Sequence, residues 1–276
     1  MGDFQHKIEN AFMATAYPLL VSLRGARKPS GEKIDMSKFV LTFEDNFDGK
    51  ELDASKWKRH YDGVRKGGYW DSAQTFIEDN KLIIRTEYKE DGRFGAGYYS
   101  DALDTGGLFE QTYGYFECRC KLPAAKGLWS AFWLMPQNSL KKGVPYESGT
   151  EIDVFESPFF HRRKNSVITS NLHYGGYGSG HKIKIIGFFV PNNPYTEFNT
   201  YGVEWNKDEY SFYINGEKTA SSRFVSQHNE HMLLSAEVDG VNGKPSAGWS
   251  GNITKNKPGA LPADFVVDYV RAYQYK

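Results

Sequence analysis

The chain has 276 residues, and its 34 Lys and Arg residues balance its 34 Asp and Glu residues. A chain without net charge gives no support for a nucleic-acid or anionic-membrane partner, and no apolar run approaches the roughly 20 residues of a membrane span. Hydrophobic residues make up 39% of the chain and aromatic residues 16%, which is typical of an ordered globular protein rich in strands. The length allows one large β domain or two small domains.

Residues 1–38 differ in composition from the rest, and we expect them to form an extension that packs on the main domain or is tethered to it. The one helix predicted in this extension lies around Ile8 to Tyr17. The stretch from Ala11 to Leu23 is moderately apolar, but Asp3 and Glu9 precede it where an export signal would be basic. The extension therefore contains no clear export signal.

From Phe39 onward, short strand-like runs follow one another to the end of the chain. The dipeptide Asn215-Gly216 separates two of these runs and predicts a hairpin, because both residue types tolerate positive φ. Further turns are predicted at Asp79-Asn80 and Asp91-Gly92. Since long helical periodicity is absent, residues 39–276 are predicted to form an all-β domain, an antiparallel β-sandwich.

The chain contains two cysteines, Cys118 and Cys120, within one alternating run of polar and apolar residues. Their spacing places both on the strand face shared with Phe116 and Leu122, so they are predicted to be buried thiols. Parallel side chains on one strand are poorly placed for a disulfide. The sequence also shows no zinc motif.

Segment 151–156, E-I-D-V-F-E, places three carboxylates inside an apolar stretch that is predicted to be a buried strand. In a regular strand Glu151 and Asp153 share one face, whereas Glu156 would be buried among apolar side chains at a cost of several kcal/mol. A β-bulge at Val154-Phe155 would return Glu156 to the face of the other two acids. We therefore predict a bulged strand with three acids on one sheet face.

Such an acid row is compatible with three kinds of site. A solvated sheet face is the first, although like charges in a row repel each other. A calcium site is the second, because Asp and Glu oxygens are preferred ligands of that ion. The third is a glycoside-cleaving pair of carboxyl groups, which lie roughly 5–5.5 Å apart in retaining enzymes.

Polar and aromatic residues flank the acid row on both sides. Trp129 and Trp133 precede it in G-L-W-S-A-F-W-L-M-P, and their spacing suits either core packing or stacking on sugar rings. After it, Thr169, Asn171 and His173 alternate onto one polar face, which indicates a wet groove. The glycine-rich loop that follows lacks the strand–helix context of a phosphate-binding loop. No G-x-S-x-G or H-E-x-x-H motif occurs, which argues against serine-hydrolase and zinc-protease activity.

Segment 151–156 resembles the catalytic signature of glycoside hydrolase family 16 in its bulged form, E-x-D-x-x-E, as found in the laminarinase, agarase, carrageenase and porphyranase branches. Further stretches match in the same order across residues 39–276: F-E-D-N-F-D-G-K-E-L-D-A-S-K-W, Y-G-Y-F-E-C-R-C-K-L-P, G-L-W-S-A-F-W-L-M-P, N-L-H-Y-G-G, Y-G-V-E-W-N-K-D-E-Y-S-F-Y-I-N-G-E and V-V-D-Y-V-R-A-Y-Q. The resemblance implies a concanavalin-like jelly roll with a concave substrate cleft. It also implies hydrolysis of internal β-linkages in glucans or galactans with retention.

By this resemblance Glu151 is the nucleophile, Glu156 the general acid/base, and Asp153 the assisting carboxylate. The chemistry is consistent with these roles, because two like charges close together raise one pKa and keep that carboxyl protonated near neutrality. The expected substrate-binding residues are Trp70, Trp129, Trp133, His173, Tyr174 and Trp249.

Three stretches depart from the laminarinase-like pattern. G-G-Y-W-D-S-A-Q-T replaces the usual N-N-E-x-Q, Leu103 lies near the position of an Arg, and L-L-S-A-E-V-D-G replaces a strand of the L-N-L-A-V-G-G type. We expect these changes to lie where the cleft contacts sugars. They bear on the substrate rather than on the reaction class.

The expected substrate is a β-1,3- or β-1,3-1,4-glucan, with an agar-, carrageenan- or host-type galactan as the alternative. A non-catalytic carbohydrate-binding sandwich would explain the aromatic residues but not the acid row, and a polysaccharide lyase would need more basic residues. No cofactor is expected for catalysis. The resemblance implies a structural calcium site with Asp268 as a ligand, although Asp45-Asn46-Phe47 replaces the D-E-F of the first strand. We expect a secreted or cell-surface monomer whose partner is a polysaccharide or oligosaccharide.

Overall fold

The computed structural model describes residues 19, 25–29, 31–137, 149–158, 160, 166–177 and 179–276. The helix predicted around Ile8 to Tyr17 lies outside these residues. Short 3-10 helices occur at Met36–Lys38, Ser72–Gln74 and Ile253–Lys255. Within the described part of the chain, no helix has the length and apolar character needed to cross a membrane.

Nearly all remaining regular structure in this part is β-strand. In chain order the strands are β1 (Phe39–Asp45), β2 (Lys58–Arg59), β3 (Gly63–Arg65), β4 (Gly68–Trp70), β5 (Thr75–Glu78), β6 (Lys81–Lys89), β7 (Gly97–Ser100), β8 (Ala102–Asp104), β9 (Gly114–Lys121), β10 (Leu128–Pro136), β11 (Glu151–Ser157), β12 (Ile168–Tyr174), β13 (Lys182–Phe189), β14 (Asn199–Trp205), β15 (Tyr210–Ile214), β16 (Glu217–Ser222), β17 (Glu230–Val238), β18 (Gly240–Val241), β19 (Lys244–Pro245) and β20 (Ala263–Tyr275).

Among the described residues these strands form two large sheets and one small hairpin. The seven-stranded sheet has the order β13-β12-β11-β10-β17-β8-β2, and β18 pairs with β19. The eleven-stranded sheet runs β16-β15-β14-β9-β20-β6-β7-β4-β3, with β1 on β20 and β5 on β6. The strand pairs are antiparallel except for β4 and β7, which are parallel. The predicted antiparallel β-sandwich is confirmed.

The core lies between the two sheets. Phe132 and Leu234 of the seven-stranded sheet belong to the same buried cluster as Phe116 and Val267 of the eleven-stranded sheet, and all four are fully buried. This burial removes alternate residues of each strand from water, which is the main stabilising contribution to a sandwich. The opposite faces of the strands are left for solvent and for the cleft.

Several local predictions are also confirmed. Asn215 and Gly216 have φ angles of 53° and 76° in the hairpin between β15 and β16. Asp79 and Asn80 adopt φ angles of 50° and 54° between β5 and β6. The thiols of Cys118 and Cys120 are free and buried.

The described part of residues 25–38 hydrogen-bonds to an edge strand of each sheet. The backbone N–H of Arg27 donates over 2.9 Å to the carbonyl of Phe188, which lies within β13 of the seven-stranded sheet. The N–H of Ile34 donates to Gly216 over 2.9 Å, next to β16 of the eleven-stranded sheet. Ala26 also packs against the small cluster formed by Val167, Phe188 and Trp249. This segment therefore covers backbone groups that edge strands otherwise leave open.

Candidate active site

The predicted bulge is present at the centre of β11. Against β12, Asp153 pairs with Asn171 and Glu156 pairs with Thr169, so the two residues 154–155 share one partner position. The irregularity recurs against β10, where the register shifts at the same place. An extra residue on one strand reverses the side-chain alternation beyond it. Glu156 therefore returns to the sheet face of Glu151 and Asp153.

The two bulged side chains are accommodated in the core. Val154 is 3% exposed and Phe155 is 0% exposed. The Phe155 ring lies 4.3 Å from the Tyr201 ring and meets the Phe265 ring edge-on at 6.2 Å. Burial of two consecutive apolar residues thus stabilises the bulge that turns the acids toward the cleft.

The cleft has a volume of about 600 Å³ and lies on the outer face of the seven-stranded sheet. Its floor is built from β10, β11, β12 and β17, and segments 60–70 and 240–242 add lining residues. Glu151, Asp153 and Glu156 all line it. This volume lies within the usual range of ligand-binding clefts.

Burial dominates the electrostatics of the three acids. It raises the pKa of Glu151 to about 8, with His173 opposing the shift and the neighbouring acids adding to it. Burial also raises the pKa of Asp153 and that of Glu156 well above their ordinary values. The side chain of Glu151 is 13% exposed and that of Asp153 is 5% exposed. Glu151 is therefore the member of the row that ionises most readily.

Each acid has a polar neighbour from β12 or from the loop that follows it. His173 Nε2 lies 3.2 Å from Oδ2 of Asp153 and 3.9 Å from Oε1 of Glu151. Asn171 donates a hydrogen bond from Nδ2 to Glu156. The predicted polar face of β12 is thus directed at the acids.

The loop after β12 contributes two side chains that the sequence did not single out. The Tyr177 hydroxyl donates to Oε2 of Glu151, and His181 Nε2 lies 2.7 Å from His173 Nδ1. Gly175 and Gly176 precede Tyr177 with φ angles of 80° and 81°, which side chains rarely adopt. One feature of the sequence could have indicated Tyr177: it is an aromatic residue in a glycine-rich loop directly after the polar strand β12.

The two tryptophans of β10 lie on the cleft face. Trp129 and Trp133 line the cleft, whereas Phe132 and Leu134 are fully buried in the core. The Trp133 Nε1 donates to Ser235 Oγ over 3.2 Å. Both indoles lie on the cleft side of β10, and a contact with substrate stays a prediction for both.

Trp70 lies deeper than an open stacking platform. It lines the cleft but is only 1% exposed, and its Nε1 donates to the carbonyl of Ala236 over 2.9 Å. His60 and Tyr61 pack around it with ring centroids 5.6 Å and 5.0 Å away. Trp70 therefore presents a small part of its indole to the cleft.

Two residues expected to bind substrate do not line the cleft in the part of the chain that is described. Tyr174 follows His173 on β12, lies on the opposite face and packs against Phe224 at 5.9 Å. Trp249 is 4% exposed and packs edge-on against Trp129 at 4.8 Å, behind the cleft wall. The expectation of direct substrate contact is corrected for both, because strand alternation and core packing remove them from the cleft.

Of the three stretches that depart from the laminarinase-like pattern, two contribute residues to the cleft and one does not. Leu103 of β8 is 0% exposed within the main core, so the expectation that it contacts sugars is wrong. Trp70 and Glu237, from the other two departing stretches, do line the cleft. Arg65 and Lys66 line it as well, and sequence reasoning missed both of them.

The calcium ligand implied by the resemblance does not fit its surroundings. One carboxylate oxygen of Asp268 lies 2.9 Å from Lys81 Nζ, and the other contacts the Arg119 guanidinium. Two cations already neutralise this carboxylate, so Asp268 is unsuited to binding a third. Glu151, Asp153 and His173 place ligand atoms within 4.8 Å of one another, but an imidazole nitrogen is not the oxygen ligand that calcium prefers.

Known proteins share this architecture. The β-glucanase of Rhodothermus marinus is 25% identical over 98% of this chain and 97% of its own length. The keratan-sulfate endo-1,4-β-galactosidase of Sphingobacterium multivorum is 26% identical over 86% of this chain and 55% of its own length. The structure of the Pyrococcus furiosus endo-β-1,3-glucanase superposes with a TM-score of 0.70 at 26% identity, covering 90% of this chain and 100% of that one. The chain spans only 34–38% of the length of some other relatives.

A family model described as the glycoside hydrolase family 16 domain of β-porphyranases A–D matches residues 38–275. The match includes the bulged acid strand and every strand of both sheets. The chain belongs to glycoside hydrolase family 16.

Proposed function

We propose that this glycoside hydrolase is an endo-acting, retaining enzyme that cleaves internal bonds of a β-1,3- or β-1,3-1,4-glucan. The observation that carries the proposal is the bulge of β11, which places Glu151, Asp153 and Glu156 on one face inside a cleft. Double displacement at an anomeric carbon requires two carboxyl groups that flank the scissile bond, and two acids on one strand face inside a cleft can supply that pair.

In the first step the carboxylate of Glu151 attacks the anomeric carbon, and Glu156 donates its proton to the glycosidic oxygen as that bond breaks. In the second step Glu156 takes a proton from water, and the water oxygen displaces Glu151 from the anomeric carbon. The order of the roles is supported by burial. Glu151 is the more exposed of the two and its pKa is raised to about 8, whereas the pKa of Glu156 is raised well above its ordinary value. Burial raises the pKa of Glu156 and so keeps its carboxyl protonated near neutral pH, as a general acid requires.

Asp153 and His173 lie beside the nucleophile and act on its charge. Nε2 of His173 lies within 3.9 Å of Glu151 and within 3.2 Å of Asp153. The imidazole favours the ionised form of Glu151 and opposes the effect of burial. A protonated Asp153 would add a hydrogen-bond donor without adding a third negative charge to the row.

A glucan is favoured by the names of the relatives, which include the β-glucanase of Rhodothermus marinus and a glucan endo-1,3-β-glucosidase of Niallia circulans. A galactan is the second candidate. It is favoured by the matching family model, which is named for β-porphyranases, and by the galactosidase of Sphingobacterium multivorum. Both candidates require the same acids and the same reaction.

The test is a product profile on laminarin, mixed-linkage glucan, agarose, carrageenan and host-type galactans. We expect internal cleavage of one class, seen as a rapid fall in polymer size, and retained anomeric configuration in the first product by NMR. The profile should be the same after treatment with a chelator. A first product of inverted configuration would contradict the proposed mechanism.

The roles are tested with Glu151→Gln and Glu156→Gln. Each should lose at least about 100-fold in kcat. With an activated substrate and azide, Glu156→Gln should form a β-azide product and Glu151→Gln an α-azide product. Glu204→Gln is the matched control, because Glu204 accepts hydrogen bonds from Tyr213 and Tyr275 and does not line the cleft. Near-normal turnover by Glu156→Gln would contradict the assignment of Glu156 as the general acid/base.

A further inference from the structure

Two neighbouring cationic side chains at the cleft share one buried carboxylate. Arg65 Nε donates to Oε1 of Glu237 over 2.8 Å, and a second guanidinium nitrogen donates to the same oxygen. Lys66 Nζ lies 3.3 Å from Oε2 of Glu237. The Glu237 side chain is 6% exposed, compared with 33% for Arg65 and 31% for Lys66. The carboxylate is thus covered by the two cations, which themselves remain open to the cleft.

The same two cations cover tryptophan rings of the cleft. The Arg65 guanidinium carbon lies 4.5 Å from the centre of the Trp70 ring, and Lys66 Nζ lies 4.0 Å from that of Trp129. Trp129 is directly opposite Glu237 across β10 and β17. These five residues all line the cleft. Each cation therefore has an aromatic face on one side and Glu237 on another, which holds it in one orientation.

The cluster as a whole carries little excess charge. Burial opposes ionisation of Glu237, but Arg65 and Lys66 outweigh it and hold its pKa below the ordinary value. One carboxylate against two cations leaves a single net positive charge. The unused N–H groups can still donate to sugar hydroxyls. An arriving sulfate or carboxylate would instead meet cations whose charge Glu237 already partly offsets, so its attraction to them would be weaker than to two free cations.

We propose that Glu237 is a specificity-determining residue, which suits this cleft to uncharged sugar residues by holding Arg65 and Lys66. The inference rests on the proposed hydrolysis of a glycan and deepens it by stating the charge of the substrate. Glu237 lies in the strand where this chain departs from the laminarinase-like pattern. Of the cations that it holds, Arg65 ends β3 and Lys66 lies in the turn between β3 and β4.

The test compares each neutral polymer with its own charged derivative: laminarin with chemically sulfated laminarin, and agarose with chemically sulfated agarose. For the pair whose neutral member is cleaved, wild-type kcat/KM should be at least tenfold higher on that member. Glu237→Gln removes the charge but keeps the shape of the side chain. It should shift the ratio of kcat/KM on the neutral polymer to kcat/KM on its sulfated derivative at least tenfold toward the sulfated polymer. The shift should shrink with added salt.

The matched control is Asp264→Asn. Asp264 binds Arg85 through two hydrogen bonds of 2.8 Å and does not line the cleft, so this variant loses a comparable ion pair elsewhere. Its selectivity ratio should equal that of the wild type. If Glu237→Gln does not fold, Lys66→Met is the second variant. It leaves a neutral Arg65–Glu237 pair and should weaken binding of the sulfated polymer further.

Binding is measured separately from cleavage by calorimetry in the Glu156→Gln background, with neutral and sulfated oligosaccharides. A wild-type preference for the sulfated member would overturn the inference, as would an unchanged ratio in folded Glu237→Gln or tighter sulfated binding by Lys66→Met. If Glu156→Gln itself retained normal turnover, the reaction proposal would fail instead. The two failures are therefore distinguishable.

Discussion

The side-chain amide of Asn171 donates a hydrogen bond to Glu156, although the residue paired with Glu156 across the sheet is Thr169. The bulge produces this offset, because it brings Glu156 one position closer to the partner of Asp153. A donor to the carboxylate stabilises its ionised form, and the Asn171 hydrogen bond accordingly opposes the rise in the Glu156 pKa that burial causes.

Asn171→Ala is therefore expected to raise the pKa of the general acid. The basic limb of the kcat/KM profile should move to higher pH, and kcat should fall because Glu156 loses a positioning partner. The measurement is the pH–rate profile on the cleaved polymer. Asn199→Ala is the control, since Asn199 is a buried residue that hydrogen-bonds to the backbone at 192 and 197 away from the cleft. That variant should lose thermal stability and keep the wild-type profile.

A second prediction concerns the pH dependence of folding. The folded-state pKa of Glu151 is raised from 4.5 to about 8 by burial. Below pH 4.5 the carboxyl is protonated in both folded and unfolded chains. As the pH rises toward 8 the unfolded chain loses this proton first, so the folded state is progressively destabilised.

Glu151→Gln should therefore match the wild type in Tm at pH 4 and exceed it at pH 8. At about 1.4 kcal/mol per pKa unit the gain has an upper limit of about 5 kcal/mol. Glu237→Gln should behave in the opposite way, because the pKa of Glu237 is lowered by its ion pairs despite burial. Its stabilising contribution is present above the unfolded-state pKa and is lost in acid. If Tm changed with pH in the same way for the wild type, Glu151→Gln and Glu237→Gln, both expectations would be contradicted.

The third prediction separates the two tryptophans of β10. Trp133 is partly exposed in the cleft, so Trp133→Ala should lower kcat/KM by roughly 30-fold, the equivalent of about 2 kcal/mol. Trp129 also lines the cleft, but it is held between Lys66 and Trp249, so Trp129→Ala should in addition cost up to about 3 kcal/mol of folding stability. Thermal melts and oligosaccharide-binding measurements on both variants distinguish a role in substrate binding from a role in folding stability. A Trp133→Ala protein that is destabilised but binds normally would assign Trp133 to the core.

The fourth prediction tests the bulge. Phe155→Ala keeps the extra residue but removes a ring that packs on Tyr201 and Phe265. It should cost about 3–5 kcal/mol in stability while leaving the catalytic pH profile in place. Deleting Phe155 should cost a similar amount, yet it restores simple alternation and leaves Glu156 on the face of Glu151.

The deletion variant should accordingly retain partial activity with the same anomeric outcome. Activity on an activated substrate, with NMR of the first product, is the readout. Complete loss of activity in a folded deletion variant, with Phe155→Ala active, would show that the bulged spacing itself is required.

The sequence by itself determined the features that depend on local patterns. Alternating apolar residues predicted the strands, and Asn215-Gly216 predicted its hairpin because few other pairs adopt two positive φ angles. The cost of burying Glu156 predicted the bulge, since an unpaired carboxylate in the core is more unfavourable than one irregular strand position. The acid row could therefore be predicted without coordinates.

Only the tertiary structure decided which distant residues join that row. Tyr174 and Trp249 were both expected to bind substrate, but strand alternation turns Tyr174 away from the cleft and core packing places Trp249 behind Trp129. Glu237 is separated from Arg65 by 172 positions, and nothing in either local pattern indicates that they share an ion pair. Such contacts depend on the order of strands in the two sheets. That order follows from the burial of many side chains at once, and no single segment encodes it.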